Sequence, residues 1–278
     1  MNKLYSFLFI TIGMLHAQNQ NFIYEYRFIP DSTNTSDIKT EITHLEVMPE
    51  SSLFYSYETY KSDSLLKDNF IKTRILNLNP GMRKGLFRDK ILKTYPEFKI
   101  IQETNIGLKA FKVSDDRKIK WEIHPDQEKI GTYNTQKATT DFAGRKWIAW
   151  FTTEIPIQDG PYKFHGLPGL IIKLEDASQS HTFELKGISR FITPIGENKQ
   201  FLRKTISISY QQYVKLYQNY RNDPTADLRD KLNSGVVRGM KDDSGNPVSA
   251  AQILKNEYEK LSEKIKKDNN ILELDLLK

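Results

Sequence analysis

The sequence predicts an α+β protein built on one large antiparallel β-sheet, curled or half-barrel in form, with helices gathered near the C-terminus. Three observations predict it. Many segments alternate apolar and polar residues with period two, as half-buried strands do. Short polar turns separate them at regular intervals. After about residue 205 the apolar spacing becomes helical and capping signals appear.

The elements follow in order. Phe22, Tyr24, Tyr26 and Phe28 share one side of a strand, with Glu25 and Arg27 on the other. Leu45 and Val47 continue the meander. Pro49-Glu50-Ser51 turns the chain, and Leu53, Tyr55, Tyr57 and Thr59 repeat the pattern. Further strands are expected over 86–92, 98–102, 108–113, 118–123 and 131–140. The middle alternates most clearly: Trp147, Ala149 and Phe151 oppose Ile148, Trp150 and Thr152, and Leu170, Ile172 and Leu174 oppose Ile171, Lys173 and Glu175. Phe183, Leu185 and Ile188 form the next strand. Ser209 with Gln212 reads as a capping box, ahead of the stripe Tyr213, Leu216, Tyr217, Tyr220. Asp223-Pro224 reads as an N-cap with proline at the first helical position. Ser249 with Gln252 starts a last helix striped by Leu254, Tyr258, Leu261 and Ile265. Leu272, Leu274 and Leu276 return to strand period, so the tail is expected to add a strand. The chain divides into a leader at 1–17, a β domain at 18–205 and a helical appendage at 206–278, ending in that short strand and packed on the same domain.

The leader is read from Lys3, the apolar run Leu4 to Leu15, and Ala17 before polar Gln18-Asn19-Gln20. A basic start, a short apolar run and a small-residue exit describe a secretory signal peptide. The run is too short to span a bilayer, which takes about 20 residues. The chain contains no cysteine, so disulfides, thiolate metal sites and lipoprotein acylation are excluded and the core must stabilise itself. The net charge of +6 is unevenly spread. Residues 18–60 hold seven acids and two bases; residues 61–120 hold fifteen bases and seven acids. Such asymmetry can steer a protein to an anionic surface, although lysines interleaved among strands as a solvated face are the favoured explanation. Nothing suggests nucleic-acid binding.

Residues 159–171 read Asp-Gly-Pro-Tyr-Lys-Phe-His-Gly-Leu-Pro-Gly-Leu-Ile. Gly160-Pro161 reverses the chain. Pro168-Gly169 suits a type II turn, with glycine at positive φ, and Gly166 adds freedom. Tyr162, Phe164, Leu167 and Leu170 are placed to press such a double turn onto a sheet. Gly166-Leu167-Pro168-Gly169-Leu170-Ile171 resembles the motif that names the GLPGLI family of exported Bacteroidota proteins. Gly144-Arg145, Ala149-Trp150-Phe151-Thr152, Glu154-Ile155-Pro156 and Gly160-Pro161 resemble its lead-in, and Tyr133 with Gln136-Lys137-Ala138 its preceding strand. The likeness covers about 130–190. Many members carry a cysteine where Thr135 stands, which removes any thiol-based role here. The resemblance implies an envelope accessory near outer-membrane import systems and supplies no catalytic residue.

Candidate site residues are few. His165 with Glu154 or Asp159 could do general acid–base work, and His165 with His181 could bind a metal; a polar turn accounts for the same residues. No hydrolase elbow, zinc-helix or phosphate-loop pattern exists. Trp147, Trp150, Phe151, Tyr162 and Phe164, flanked by Arg145, form an aromatic group that could bind a ligand or partner, or simply be strand core. Strand alternation sends Trp147 and Trp150 to opposite faces. Asp31-Ser32-Thr33 and Asp63-Ser64-Leu65 match a short glycosylation pattern. The expected function is an exported, periplasmic or outer-membrane-associated accessory protein. It binds an envelope protein or a ligand through the sheet face and the turn at 160–171. A hydrolase using His165, or a carrier of a lipid or other apolar ligand, are the alternatives. No cofactor or metal is expected.

Overall fold

A computed structural model describes residues 19–73, 85–191, 205–235 and 248–278; the leader at 1–17 lies outside them. Twelve strands form one open sheet: β1 Gln20–Phe28, β2 Lys39–Val47, β3 Ser51–Ser56, β4 Lys90–Thr94, β5 Lys99–Ile106, β6 Lys109–Asp115, β7 Glu122–Ile130, β8 Tyr133–Phe142, β9 Arg145–Thr152, β10 Leu170–Asp176, β11 His181–Arg190 and β12 Thr205–Ser209. Their order is β12-β6-β5-β4-β3-β2-β1-β11-β10-β9-β8-β7. All pairs are antiparallel except β12 on β6. The helices are α1 Tyr57–Thr73, α2 Tyr210–Asn222, α3 Ala226–Asn233 and α4 Ala250–Lys266. The fold is α+β, with three of these four helices after residue 205.

The register explains the core. Phe22 lies opposite Leu45, Leu45 opposite Phe54, and Phe54 opposite Ile91. Opposed residues of a ladder point to the same face, so these four side chains form one row. Tyr26 opposite Phe183 and Phe183 opposite Leu174 extend the same face. The rings of Tyr26 and Phe183 stack 4.2 Å apart. Each fully buried side chain of this size contributes about 1.5–3 kcal/mol. The long β9–β10 connection, residues 153–169, lies across this face together with residues 85–89, α2 and the C-terminal tail. The opposite face is covered over β2 and β3 by α1, where His44 stacks on Tyr57 at 4.8 Å and Tyr55 meets Tyr60 at 5.8 Å.

Four expectations need correction. The strand pattern continuing through Tyr57 and Thr59 is broken by a helix, because the Ser56 hydroxyl accepts from Thr59 N at 3.1 Å and caps α1. The tail is no strand. It forms a single 3-10 turn at Leu274–Leu277, in which Leu276 is buried, and its acids Glu273 and Asp275 are held by Lys163 and Arg117. Asp223 does not start a helix: it is the C-cap of α2, and α3 begins after Thr225. Finally, Gly169 is not among the glycines at positive φ, so Pro168-Gly169 is no type II turn. Gly169 is required by crowding, because a Cβ there would collide with the Thr152 carbonyl. Gly166, at φ 92°, does use glycine's freedom.

The capping box at Ser209 and Gln212 is complete, with both reciprocal bonds present. Ser249 caps α4 by accepting from Gln252 N at 3.2 Å. The edge strand β7 is mostly exposed. It carries Pro125, a run of charges and a register shift between Ile123 and Gln127. These are devices that keep a free edge from pairing with another chain.

Candidate functional site

The connection at 153–169 is a buried loop, and buried backbone must find partners. Lys93 supplies them. Its side chain is wholly buried, and Nζ donates to the carbonyls of Gly160 at 2.7 Å and Tyr162 at 3.0 Å. A third contact reaches the Phe164 carbonyl at 3.4 Å. The charge is balanced by Asp159, 2.5 Å away. Asp159 also accepts from Ser52 Oγ at 2.5 Å and from the Tyr95 hydroxyl. Burial pushes the Lys93 ammonium down from its usual range, and Asp159 partly restores it.

Lys163, also fully buried, points to a second ionic centre. Its Nζ lies 2.9 Å from Asp115 and 2.5 Å from Glu273 in the tail. Arg117 reaches Asp115, Glu273 and Asp275 at 2.7, 2.8 and 3.1 Å. Its guanidinium lies 3.5 Å from the centre of the Tyr210 ring. The hydroxyls of Tyr162 and Tyr210 donate to Glu273 at 2.6 and 2.9 Å. Burial would raise the Asp115 carboxyl, but Arg117 and Lys163 outweigh it and hold the group at about 2. Arg145 ties the same tail from the other side. It pairs with Asp176 at 3.0 Å and donates to Asn270 Oδ1 and to the Ile271 carbonyl, each at 2.6 Å.

The proposed site residues therefore scatter. Trp147, Tyr162, Phe164 and Arg145 are all buried, and Trp150 is half-buried. Phe164 packs on Trp147 with ring centres 4.8 Å apart. These rings are core, and the turn at 160–171 presents little of its aromatic surface to solvent. The two tryptophans do point to opposite faces. His165 is half-buried and stacks on Phe98 at 4.4 Å, with Nδ1 2.8 Å from the Lys163 carbonyl. Burial holds its pKa below the usual value. Glu154 accepts from Asn134 N and Nδ2 at 2.9 and 3.0 Å, and Asp159 is committed to Lys93. Neither carboxylate is hydrogen-bonded to the His165 ring, so the acid–base pair is not assembled. His181 sits elsewhere, between Tyr26 Oη at 2.7 Å and the Asn270 carbonyl at 2.8 Å. Among the described residues no group of three or more metal-binding side chains occurs. Ser32 Oγ donates to Asn269 Oδ1 at 2.8 Å, and Ser64 lies within α1.

The structure instead brings together mainly residues that the sequence did not single out as a site, with Tyr162 and His181 lining the same cleft. A cleft of about 530 Å³ opens between the packed sheet face, residues 85–89, α2 and the tail. Tyr26, Phe28, Phe87 and Tyr217 give it aromatic walls, and Asp89, Gln102 and Thr104 a polar patch. Gln102 Nε2 and Thr104 Oγ1 donate to the two oxygens of Asp89 at 2.7 and 2.6 Å. Burial raises the Asp89 carboxyl above its usual range, and these donors and Lys163 only partly offset it. Gln102 Oε1 is buried without a hydrogen-bond partner among the described residues. Exposed Arg88, Lys264 and Lys267 mark the cleft's solvent side. One signal was available: Gln102 and Thr104 are polar at positions that the β5 alternation assigns to the packed face.

Comparison with known proteins places these observations. A family described as a protein of unknown function (Porph_ging) matches residues 142–173, which include β9, the buried connection and its glycine–proline motif. No curated protein matches the chain. Two solved structures of PNGF-II, from different crystal forms, are similar over 72% of this chain at 15% identity, each with a TM-score of 0.50. The matched part spans 32% and 33% of those chains, about a third of their length. This likeness is one of fold, and the short family match falls on the loop that Lys93 and Lys163 hold in place.

Proposed function

We propose that this is an exported binding protein of the cell envelope, and that the cleft on the packed sheet face holds its ligand. The observation that carries this reading is the cleft itself. Its volume of about 530 Å³ lies within the range of small-molecule sites. It combines aromatic walls with a few buried polar groups, the usual composition of such sites. Export rests on the basic, apolar and small-residue succession of residues 1–17. A hydrolase centred on His165 lacks support, because its ring has no carboxylate partner to orient it.

Native mass spectrometry of the full chain recovered from an envelope fraction tests both halves. The expected result is a chain starting at Gln18 with a bound small molecule. Tyr217→Ala, which removes one aromatic wall, should lose that molecule without altering the fold. An uncleaved leader overturns export. A ligand retained equally by Tyr217→Ala and by a Phe87→Ala variant overturns the cleft.

A further inference from the structure

This inference rests on the cleft reading and names the class of ligand. The buried polar patch around Asp89 holds an acceptor that no donor meets. Asp89 already receives Gln102 Nε2 and Thr104 Oγ1, and a carboxylate has lone pairs for more. Gln102 is 1% exposed, yet its Oε1 is unpaired among the described residues.

A purely apolar chain lying there would leave that buried atom dry and unpaired, which is unfavourable. An anionic group at the same place would be repelled by the Asp89 carboxylate and would leave the Gln102 oxygen unpaired; the cations Arg88, Lys264 and Lys267 lie at the cleft's exposed side. The occupant must bring neutral donors. It must also offer apolar faces to Phe28, Phe87 and Tyr217. Hydroxylated rings have both, with O–H groups around the edge and C–H groups above and below.

We propose that the cleft takes a neutral saccharide, one hydroxyl donating to Gln102 Oε1 and a neighbouring one to Asp89, with the sugar face against Tyr217 and Phe28. The exposed cations Arg88, Lys264 and Lys267 donate to outer hydroxyls.

Calorimetric titration of the full chain tests this with three probes: a mixed set of neutral mono- and disaccharides, glucuronic acid, and laurate. Expected is binding from the neutral set, with weaker or no binding of the other two. Gln102→Leu should weaken the saccharide about tenfold, the loss of one well-made hydrogen bond. Tyr217→Ala, at a half-buried wall, should weaken it as well, which keeps the test sound if Gln102→Leu folds poorly. Laurate binding that Tyr217→Ala abolishes, with no saccharide bound, overturns the ligand class and leaves the cleft reading intact. No probe bound in a Tyr217-dependent way overturns both. Saccharide binding unmoved by Gln102→Leu and Tyr217→Ala places the sugar elsewhere and overturns the proposal.

Discussion

At the scale of the residue, two buried lysines decide the position of the central loop. Lys93 gathers the carbonyls of Gly160 and Tyr162 and the carboxylate of Asp159. Lys163, inside the loop, grips Asp115 and Glu273. A buried pair is costly to half-remove, because the remaining charge stays desolvated. Lys163→Met should therefore destabilise the protein by about 3–5 kcal/mol in urea unfolding. Removing its partner too, as Lys163→Met with Glu273→Leu, should lose less than the two single changes summed. Strict additivity would show that the pair does not couple loop to tail. Gly169 makes a steric demand. Gly169→Ala drives a methyl group into the Thr152 carbonyl, a backbone atom that cannot step aside. A loss of about 3 kcal/mol is expected, read as a lower urea midpoint at unchanged slope. A variant as stable as the parent would mean that the β9–β10 corner is looser than drawn.

At the scale of the element, the tail is the piece whose chemistry the sequence disguised. Leucines alternating at 272, 274 and 276 suggested a strand, but Glu273 between them is the most heavily partnered acid of the tail. It meets Lys163, Arg117, Tyr162 and Tyr210. A carboxylate that reads as the solvent side of a strand is in fact 3% exposed, and no periodicity rule could show that. Ending the chain after Asn269 should strip acceptors from Arg145, His181 and Lys163 together. We expect dye binding typical of exposed apolar surface and a broadened unfolding transition; a sharp transition with no dye binding would show that the tail is an ornament. Elsewhere the elements were legible. Period-two alternation located β1, β9, β10 and β11 within a few residues, because those strands have one packed face and a clear contrast between faces. It failed at α1 because Tyr57 and Thr59 kept the strand rhythm while the Ser56 cap, a single hydrogen bond, turned the backbone. The aromatic cluster was legible as a cluster but not as interior: Trp147, Tyr162 and Phe164 carry the same letters whether a loop lies over them or not. The cleft was hidden for the opposite reason. Asp89, Gln102, Thr104 and Tyr217 come from β5, α2 and the segment before β4, and only the folded sheet brings them together.

At the scale of the whole molecule, the buried polar groups set how the protein meets acid. His181 is wedged between the Tyr26 hydroxyl and the Asn270 carbonyl, with Arg145, Asp176 and the Trp147 and Phe28 rings around it. The carbonyl must receive a proton from Nε2, so Nδ1 accepts from Tyr26 and the ring is satisfied in its neutral form. Burial, reinforced by Arg145, holds its pKa at about 3. Burial holds His44, under α1, at about 4. In the unfolded chain both histidines take up a proton near pH 6.5. Between that pH and their folded values the unfolded state binds protons that the folded state refuses, so stability falls as pH drops. The fall begins near pH 6.5 and continues to about pH 3 for His181. Asp115, at about 2 when folded, sustains it from near pH 4 downward as its pairing with Lys163 and Arg117 is lost. These three groups make stability fall as pH drops below 6.5, while the Asp89 carboxyl, raised by burial, opposes them in the acid range because it takes its proton more readily in the fold. His181→Gln isolates one contribution, since an amide can still donate to Asn270 and accept from Tyr26. The variant should be less stable than the parent at pH 8, and the gap should narrow as the pH approaches 4, because the parent alone pays for keeping an imidazole neutral. Two curves that run parallel from pH 8 to pH 4 would mean that His181 takes up its proton in the fold, and that the tail does not seal it from water.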